Sequence, residues 1–307
     1  MRDLYSIDLT MNGEFFSDFF LPATLATIML GMGLSLTADD FKNIWQQPRG
    51  IVIGLICQLV LVPLIACILA YFANVSSAVK VGLVLIASCP GGISSGLVTH
   101  LFRGNVALSI ALVSVNSFIT LLSIPVMVNL ALSLFMGETH SISLPITTTA
   151  FEIFALTVLP AATGVFLRKK FPQPAIALER PLRYIMPIML FVAFAGVMLG
   201  GDKKSQTAIA DFLSLLPYAL LLNFLGIMLT FAVTVLTGLN KTIQITLPTE
   251  AGLHNSSLAI YIAGSILGNA DMALVAVVYG AITFFSTIIF LYAIYYFFIN
   301  TDRYKAE

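Results

Sequence analysis

Charged residues are scarce in this sequence. Only 10% of its 307 residues are Asp, Glu, Lys or Arg, against roughly 25% in an ordinary soluble domain, which argues against a typical water-soluble enzyme. Fifteen basic and fifteen acidic residues cancel, so the chain lacks the basic excess that a nucleic-acid surface needs. Cysteine is limited to Cys57, Cys67 and Cys89, at spacings that fit neither a disulfide framework nor a zinc site, and the three read as buried thiols. No flexible linker or low-complexity tract divides the chain, and nothing in it reads as a strand. Residues 1–18 carry Asp3, Asp8, Glu14 and Asp18 instead of the basic start and apolar run of a signal peptide, and read as a short solvent-side arm.

What the sequence has in excess is apolar length. Hydrophobic residues make up 59% of the chain and mean hydropathy is +0.98, more than one water-soluble core can bury, so a lipid bilayer is the expected solvent. Runs long enough to cross it fall at about 19–37, 50–72, 79–101, 105–135, 145–167, 184–200, 211–238, 243–264 and 272–299. These predict an all-α polytopic membrane protein with nine transmembrane helices, forming one membrane unit over 1–307. An odd number of spans puts the termini on opposite sides. With the N-terminus outside, eleven of the fifteen Lys and Arg residues fall inside, and only Arg2, Lys80, Lys203 and Lys204 lie outside. The positive-inside rule therefore predicts a multi-pass protein of the cell membrane with a cytoplasmic C-terminus.

Two spans are interrupted. The third carries Pro90, Gly91 and Gly92 at its centre, and the eighth carries Pro248 followed by Glu250, His254 and Asn255. Proline removes a backbone donor and paired glycines let a helix unwind, so both spans are expected to break near mid-membrane. Each break is flanked by long spans, and the two triplets start from opposite sides. That pattern predicts inverted repeats with two broken helices crossing at the midplane, the architecture of a secondary transporter. Such breaks expose helix N-termini that attract anions and carbonyls that attract cations.

Intramembrane carboxylates are functional candidates by default. Glu250 sits among the polar residues of the second break, with His254 one turn on if the helix resumes there, so that the two side chains could meet. His254 could equally be a satisfied interhelical hydrogen bond. Glu152, near the start of the fifth span, suits a bland role better, and His100 and His140 read as structural. Gln58 is a lone amide in an apolar span, able to tie helices together or to coordinate a cation. Ser109, Val113, Asn116 and Ser117 fall at helical spacing on the fourth span, as a polar stripe facing the first break or as a small-residue packing face. Gly92 to Gly96 match the G-x-S-x-G pattern of hydrolases, but the strand that a nucleophile elbow requires is missing.

In order along the chain, LGMGLSLTADDF (30–41), CPGGISSGLVTHLFRGNVALS (89–109) and TEAGLHNSSLA (249–259) resemble the signature segments of the bile acid:sodium symporter family, and the similarity extends over nearly the whole chain. The resemblance implies two domains, a core of about 50–135 and 211–299 and a panel of about 19–37 and 145–200, with the first of the ten helices of bacterial members lacking a counterpart. One family sodium site maps onto Ser95, Ser109 and Glu250, with Gly96 and Val113 where relatives have Asn and Thr. The other maps onto Gln58 and Glu250, with His254 where relatives have Gln. A hard cation wants several oxygens, so the resemblance, with these departures, implies proton coupling through Glu250 and His254; sodium coupling is the alternative, Asn116 replacing a lost ligand. The expected cargo is a bile acid or related amphipathic organic anion, a smaller pantoate-like acid being the other possibility. Its acid group is expected at Gly91, Gly92, Ser94, Asn255 and Ser256, and its apolar body against Phe, Met and Leu side chains. No enzymatic activity, cofactor or metal centre is implied; a channel or receptor is the competing class.

Overall fold

The structure, a computed structural model, describes residues 19–36, 47–137, 145–199 and 205–299. The N-terminal arm, His140, the end of the 30–41 segment, and Arg2, Lys42, Lys203, Lys204, Arg303 and Lys305 of the orientation count lie outside them. Among the described residues there are eleven helices: α1 (Leu21–Ser35), α2 (Pro48–Phe72), α3 (Ser77–Ser88), α4 (Ile93–Leu101), α5 (Val106–Met136), α6 (Ile146–Lys170), α7 (Pro172–Leu199), α8 (Ser205–Leu236), α9 (Lys241–Gly252), α10 (Ser256–Ile266) and α11 (Ala270–Phe298). Five of them, α2, α5, α6, α8 and α11, are long and apolar enough to cross a membrane. Their outer faces fit that solvent. Val52, Ile56, Val60, Leu64 and Ile68 on α2, and Phe118, Leu122, Val126, Leu130 and Leu134 on α5, are all exposed at four-residue spacing, forming apolar stripes that lipid would cover.

Helix starts follow ordinary capping chemistry. Asn105, Asn240, Asn255 and Asn269 each accept a hydrogen bond through Oδ1 from the backbone N–H three residues on, at 3.0–3.1 Å, satisfying donors that a helix start leaves orphaned. Asn105 and Asn269 open the long helices α5 and α11 that follow the two breaks, so corresponding positions carry the same cap. Two prolines inside spans are accommodated by wider turns: π-helical turns at Cys57–Leu61 and Phe154–Val158 precede Pro63 and Pro160, where a regular helix would drive the ring into a carbonyl.

The expected interruptions are present, with one shift. The first spans Cys89–Gly92, at Pro90 as predicted, whereas Pro248 lies within α9 and the chain unwinds only at Leu253–Asn255. The proline removes one hydrogen bond but does not end the helix; the unwinding occurs where side chains from α8 and α11 capture the terminal carbonyl. The sixth run also differs, since its helix starts at Pro172 and not near 184. Its first turns carry Glu179, Arg180 and Arg183, charges that a hydropathy window discards.

α1 packs along α6 and α7. Gly33 and Gly164 make the close approach possible: a Cβ on Gly164 would lie 2.5 Å from the Leu30 carbonyl oxygen and 2.7 Å from the Leu34 nitrogen. α3 packs against α2, α5 and α11, and α10 against α11 and α1; their Leu83, Val84, Ile86, Ala259 and Ile260 are buried together with Val278 and Tyr279 of α11.

Candidate functional site

Backbone polar groups freed by a break at mid-membrane have no water to turn to, so each must find a protein partner. The two breaks satisfy one another. They run antiparallel, Gly91 opposite His254, with Gly92 N–H donating to the Leu253 carbonyl and Asn255 N–H to that of Pro90, both at 2.8 Å. Side chains close the remainder at the end of α9. The Gly252 carbonyl accepts from Asn223 Nδ2 at 2.7 Å and from the Tyr279 hydroxyl at 3.0 Å, and the Glu250 carbonyl accepts from Gln58 Nε2 at 3.3 Å. Asn223 is held in turn, donating to Thr287 Oγ1 and accepting from Ser286. Neither Asn223 nor Tyr279 was singled out from the sequence, although Asn223 carries the same signal as Gln58, a lone amide inside an apolar span.

Beside this crossing the predicted polar residues Gln58, Ser95, Ser109, Asn116 and Glu250 converge. Glu250 is buried and its Oε1 accepts from the Ser109 hydroxyl. Asn116 Nδ2 donates to Gln58 Oε1 at 2.9 Å, whereas the Ser117 hydroxyl of the same stripe turns back to the Val113 carbonyl of its own helix. Ser95 lies beside the carboxylate, its hydroxyl also donating to the Gly92 carbonyl at 2.8 Å. Glu250 Oε2 and Asn116 Oδ1 are buried without a hydrogen-bond partner. Two open acceptors among neutral donors, one of them an oxygen of the ionisable carboxylate, form an arrangement suited to a cation. Gly91 packs so closely that a Cβ there would strike the Glu250 carboxylate.

His254 stands apart from this group. Its Nδ1 lies 3.0 Å from the Cys89 carbonyl oxygen; a carbonyl only accepts, so Nδ1 carries the proton. The ring tilts against Tyr279 and Nε2 is buried without a partner. The expected meeting with Glu250 is therefore absent, because residues 253–255 are extended and the one-turn relation ends at Gly252. Glu152 is distant in role too, placed against the Tyr261 hydroxyl of α10. Gly92 to Gly96 open α4 after another helix, not after a strand.

Against the same crossing lies a cavity of about 740 Å³ between α1, α5, α11 and the breaks, and Ser95, Ser109 and Val113 reach its wall. Gly92, Ser94, Asn255 and Ser256 line it, whereas Gly91 faces Glu250. Met29, Met32, Leu97, Ile110 and Phe284 supply apolar wall, and Arg168 and Glu179 also line it. Asn255 has two roles: Oδ1 caps α10, while Nδ2 donates to the Met29 sulfur at 3.9 Å, a weak acceptor that a stronger one would displace. An alanine here would remove cap and donor together. Asn255→Ser keeps a capping oxygen and withdraws the amide N–H₂ from the cavity without adding a charge, so it should melt like the parent protein yet bind an organic anion at least tenfold more weakly, as read by calorimetric titration. Unchanged affinity would place the anion elsewhere.

The family model described as Sodium Bile acid symporter family matches residues 22–207. The chain is 31% identical over 250 residues to the uncharacterized sodium-dependent transporter YocS of Bacillus subtilis, covering 80% of this chain and 73% of that protein. It is 26% identical over 249 residues to the probable chloroplastic sodium/metabolite cotransporter BASS1 of Arabidopsis thaliana, 80% of this chain but 59% of that one. Human sodium/bile acid cotransporter 4 is 28% identical over 207 residues, 65% of this chain and 47% of its own. The chain thus spans about half to three quarters of the length of these relatives, which are named as transporters and not as enzymes. With an all-helical architecture among its described residues, apolar stripes for lipid and a match over more than half its length, the chain belongs to the sodium bile acid symporter family.

Proposed function

We propose that this protein is a secondary active symporter that couples the movement of an amphipathic organic anion to that of a cation held at Glu250. The observation that carries the reading is the crossing itself: an open carboxylate oxygen among the side chains of Gln58, Ser95, Ser109 and Asn116, with an anion-sized cavity against the same backbone that Ser95 and Ser109 also line. Cation and anion then stabilise the same arrangement of two breaks, and that shared stabilisation is what coupling requires. Antiparallel pairing of the breaks supports inverted repeats. The mutual packing of α1, α6 and α7 supports a panel moving against a core of the remaining helices, nine spans in all, with the N-terminus outside.

Sodium is the coupling ion we favour. Relatives are named for it, the Asn116 amide joins the Glu250 cluster, and His254, bonded to the Cys89 carbonyl, offers the carboxylate no proton relay. One observation favours a proton: Gly96 and Val113 contribute no oxygen, which leaves the oxygen set around Glu250 sparse. Uptake of a labelled bile acid, and of a small hydroxy acid, into proteoliposomes under separately imposed sodium and pH gradients decides between them. We expect accumulation driven by sodium with no pH gradient. Accumulation that follows pH alone, with sodium replaced by choline, would install the proton reading, and no uphill uptake under either gradient would remove the symporter reading.

A further inference from the structure

The cavity contains one feature that the coupling site does not use. Arg168, in the last turn of α6, and Glu179, on α7, both line it, and Arg168 is the one Lys or Arg among the lining residues described. Their closest approach is 3.6 Å, longer than the 2.7–2.9 Å of a charge-assisted hydrogen bond, and Arg168 Nη1 is buried with no hydrogen-bond partner. A guanidinium is a planar fork built to hold two oxygens at once, and here it is under-satisfied at the wall of an apolar cavity. The anion donors of the crossing lie at mid-span, at the starts of α4 and α10, whereas Arg168 lies at a helix end. An elongated ligand can therefore meet both.

Resting on the symporter reading, we infer that Arg168 is a specificity residue that receives a second acidic group of the substrate, so that the cavity prefers an elongated amphipathic dianion, one acid group at Asn255 and the other on the Arg168 fork. Glu179 holds the guanidinium when no such group is present and competes with it when one is. A monoanion leaves the Arg168–Glu179 pair intact.

The test compares two ligands with one skeleton, a bile acid and its 3-sulfate, by calorimetric titration of the purified full-length protein and by uptake. Wild type is expected to bind the sulfate more tightly. Arg168→Gln should weaken the sulfate at least tenfold while changing the parent acid by less than twofold, and Glu179→Gln should tighten the sulfate at least threefold. The exchanged variant Arg168→Glu with Glu179→Arg restores the ion pair between α6 and α7 but moves the cation to the other helix. If it recovers both stability and the wild-type preference, or if Arg168→Gln weakens the two ligands equally, the pair is only a tie between helices and the inference fails. Binding with the expected ratios but no gradient-driven uptake would sink the symporter reading and leave the specificity assignment standing.

Discussion

Glu250→Gln will reduce ion-driven accumulation by at least a hundredfold while leaving the protein folded and able to bind its anion. The substitution preserves shape: the amide oxygen can still accept from Ser109, and the new N–H₂ group stands where the carboxylate had an oxygen without a partner, in a cluster whose Asn116 Oδ1 also lacks a donor. What disappears is the charge. A cation at mid-membrane needs a counter-charge, since several neutral oxygens alone do not offset the cost of its desolvation. The measurement is the accumulation ratio of labelled substrate under an imposed sodium gradient, with thermal melting of the purified variant as the folding control. A variant that melts normally and still concentrates substrate like wild type would show that Glu250 is structural.

The contrast between the two buried amides explains why the Gln58 end of the crossing is a site and the Asn223 end a clamp. Asn223 donates to Gly252 and Thr287 and accepts from Ser286, so its capacity is used up in holding the end of α9. Gln58 makes an equivalent bond to the Glu250 carbonyl, but its partner Asn116 keeps an open oxygen, as does Glu250 itself. A saturated buried network fixes geometry, and an open one retains the capacity to bind. Sequence patterning flags both amides in the same way, as polar groups in apolar helices; only the partners distinguish them.

Much of the architecture was legible because a bilayer imposes simple rules. Apolar runs mark the five helices long enough to cross a membrane, and Pro90 with Gly91 and Gly92 marks a break because no regular helix accommodates them cheaply. The failures have equally local causes. Helical spacing predicted that His254 would meet Glu250, but spacing holds only inside a helix, and the chain is extended from Leu253 to Asn255. Pro248 drew attention as the second break, yet the interruption depends on donors from Asn223 and Tyr279, distant residues that no local window contains. The early start of α7 was hidden by Glu179, one of the residues that gives the cavity its charge.

Gly91→Ala is expected to abolish transport and to lower stability by roughly 1–3 kcal/mol, the usual cost of forcing a methyl group into a packed interior. The added Cβ would strike the Glu250 carboxylate and lie 3.0 Å from Val113 Cγ2. Neither neighbour yields easily. Glu250 is held by Ser109 and by the backbone of α9, and Val113 is itself buried on α5. Gly91 also pairs with His254, so a shift there pulls the two breaks apart and separates the cation cluster from the anion cavity. Gly96→Ala provides the control, because its Cβ would come no closer than 4.0 Å, to Ser109 Oγ, and it should retain near-normal melting. Adding Val113→Ala to Gly91→Ala relieves one of the two contacts, so it should recover part of the lost stability without restoring coupled uptake, since the clash with Glu250 remains. Wild-type melting and uptake in Gly91→Ala would mean that the breaks are not packed as described; recovery of uptake in the double variant would mean that Val113, and not Glu250, is what the glycine accommodates.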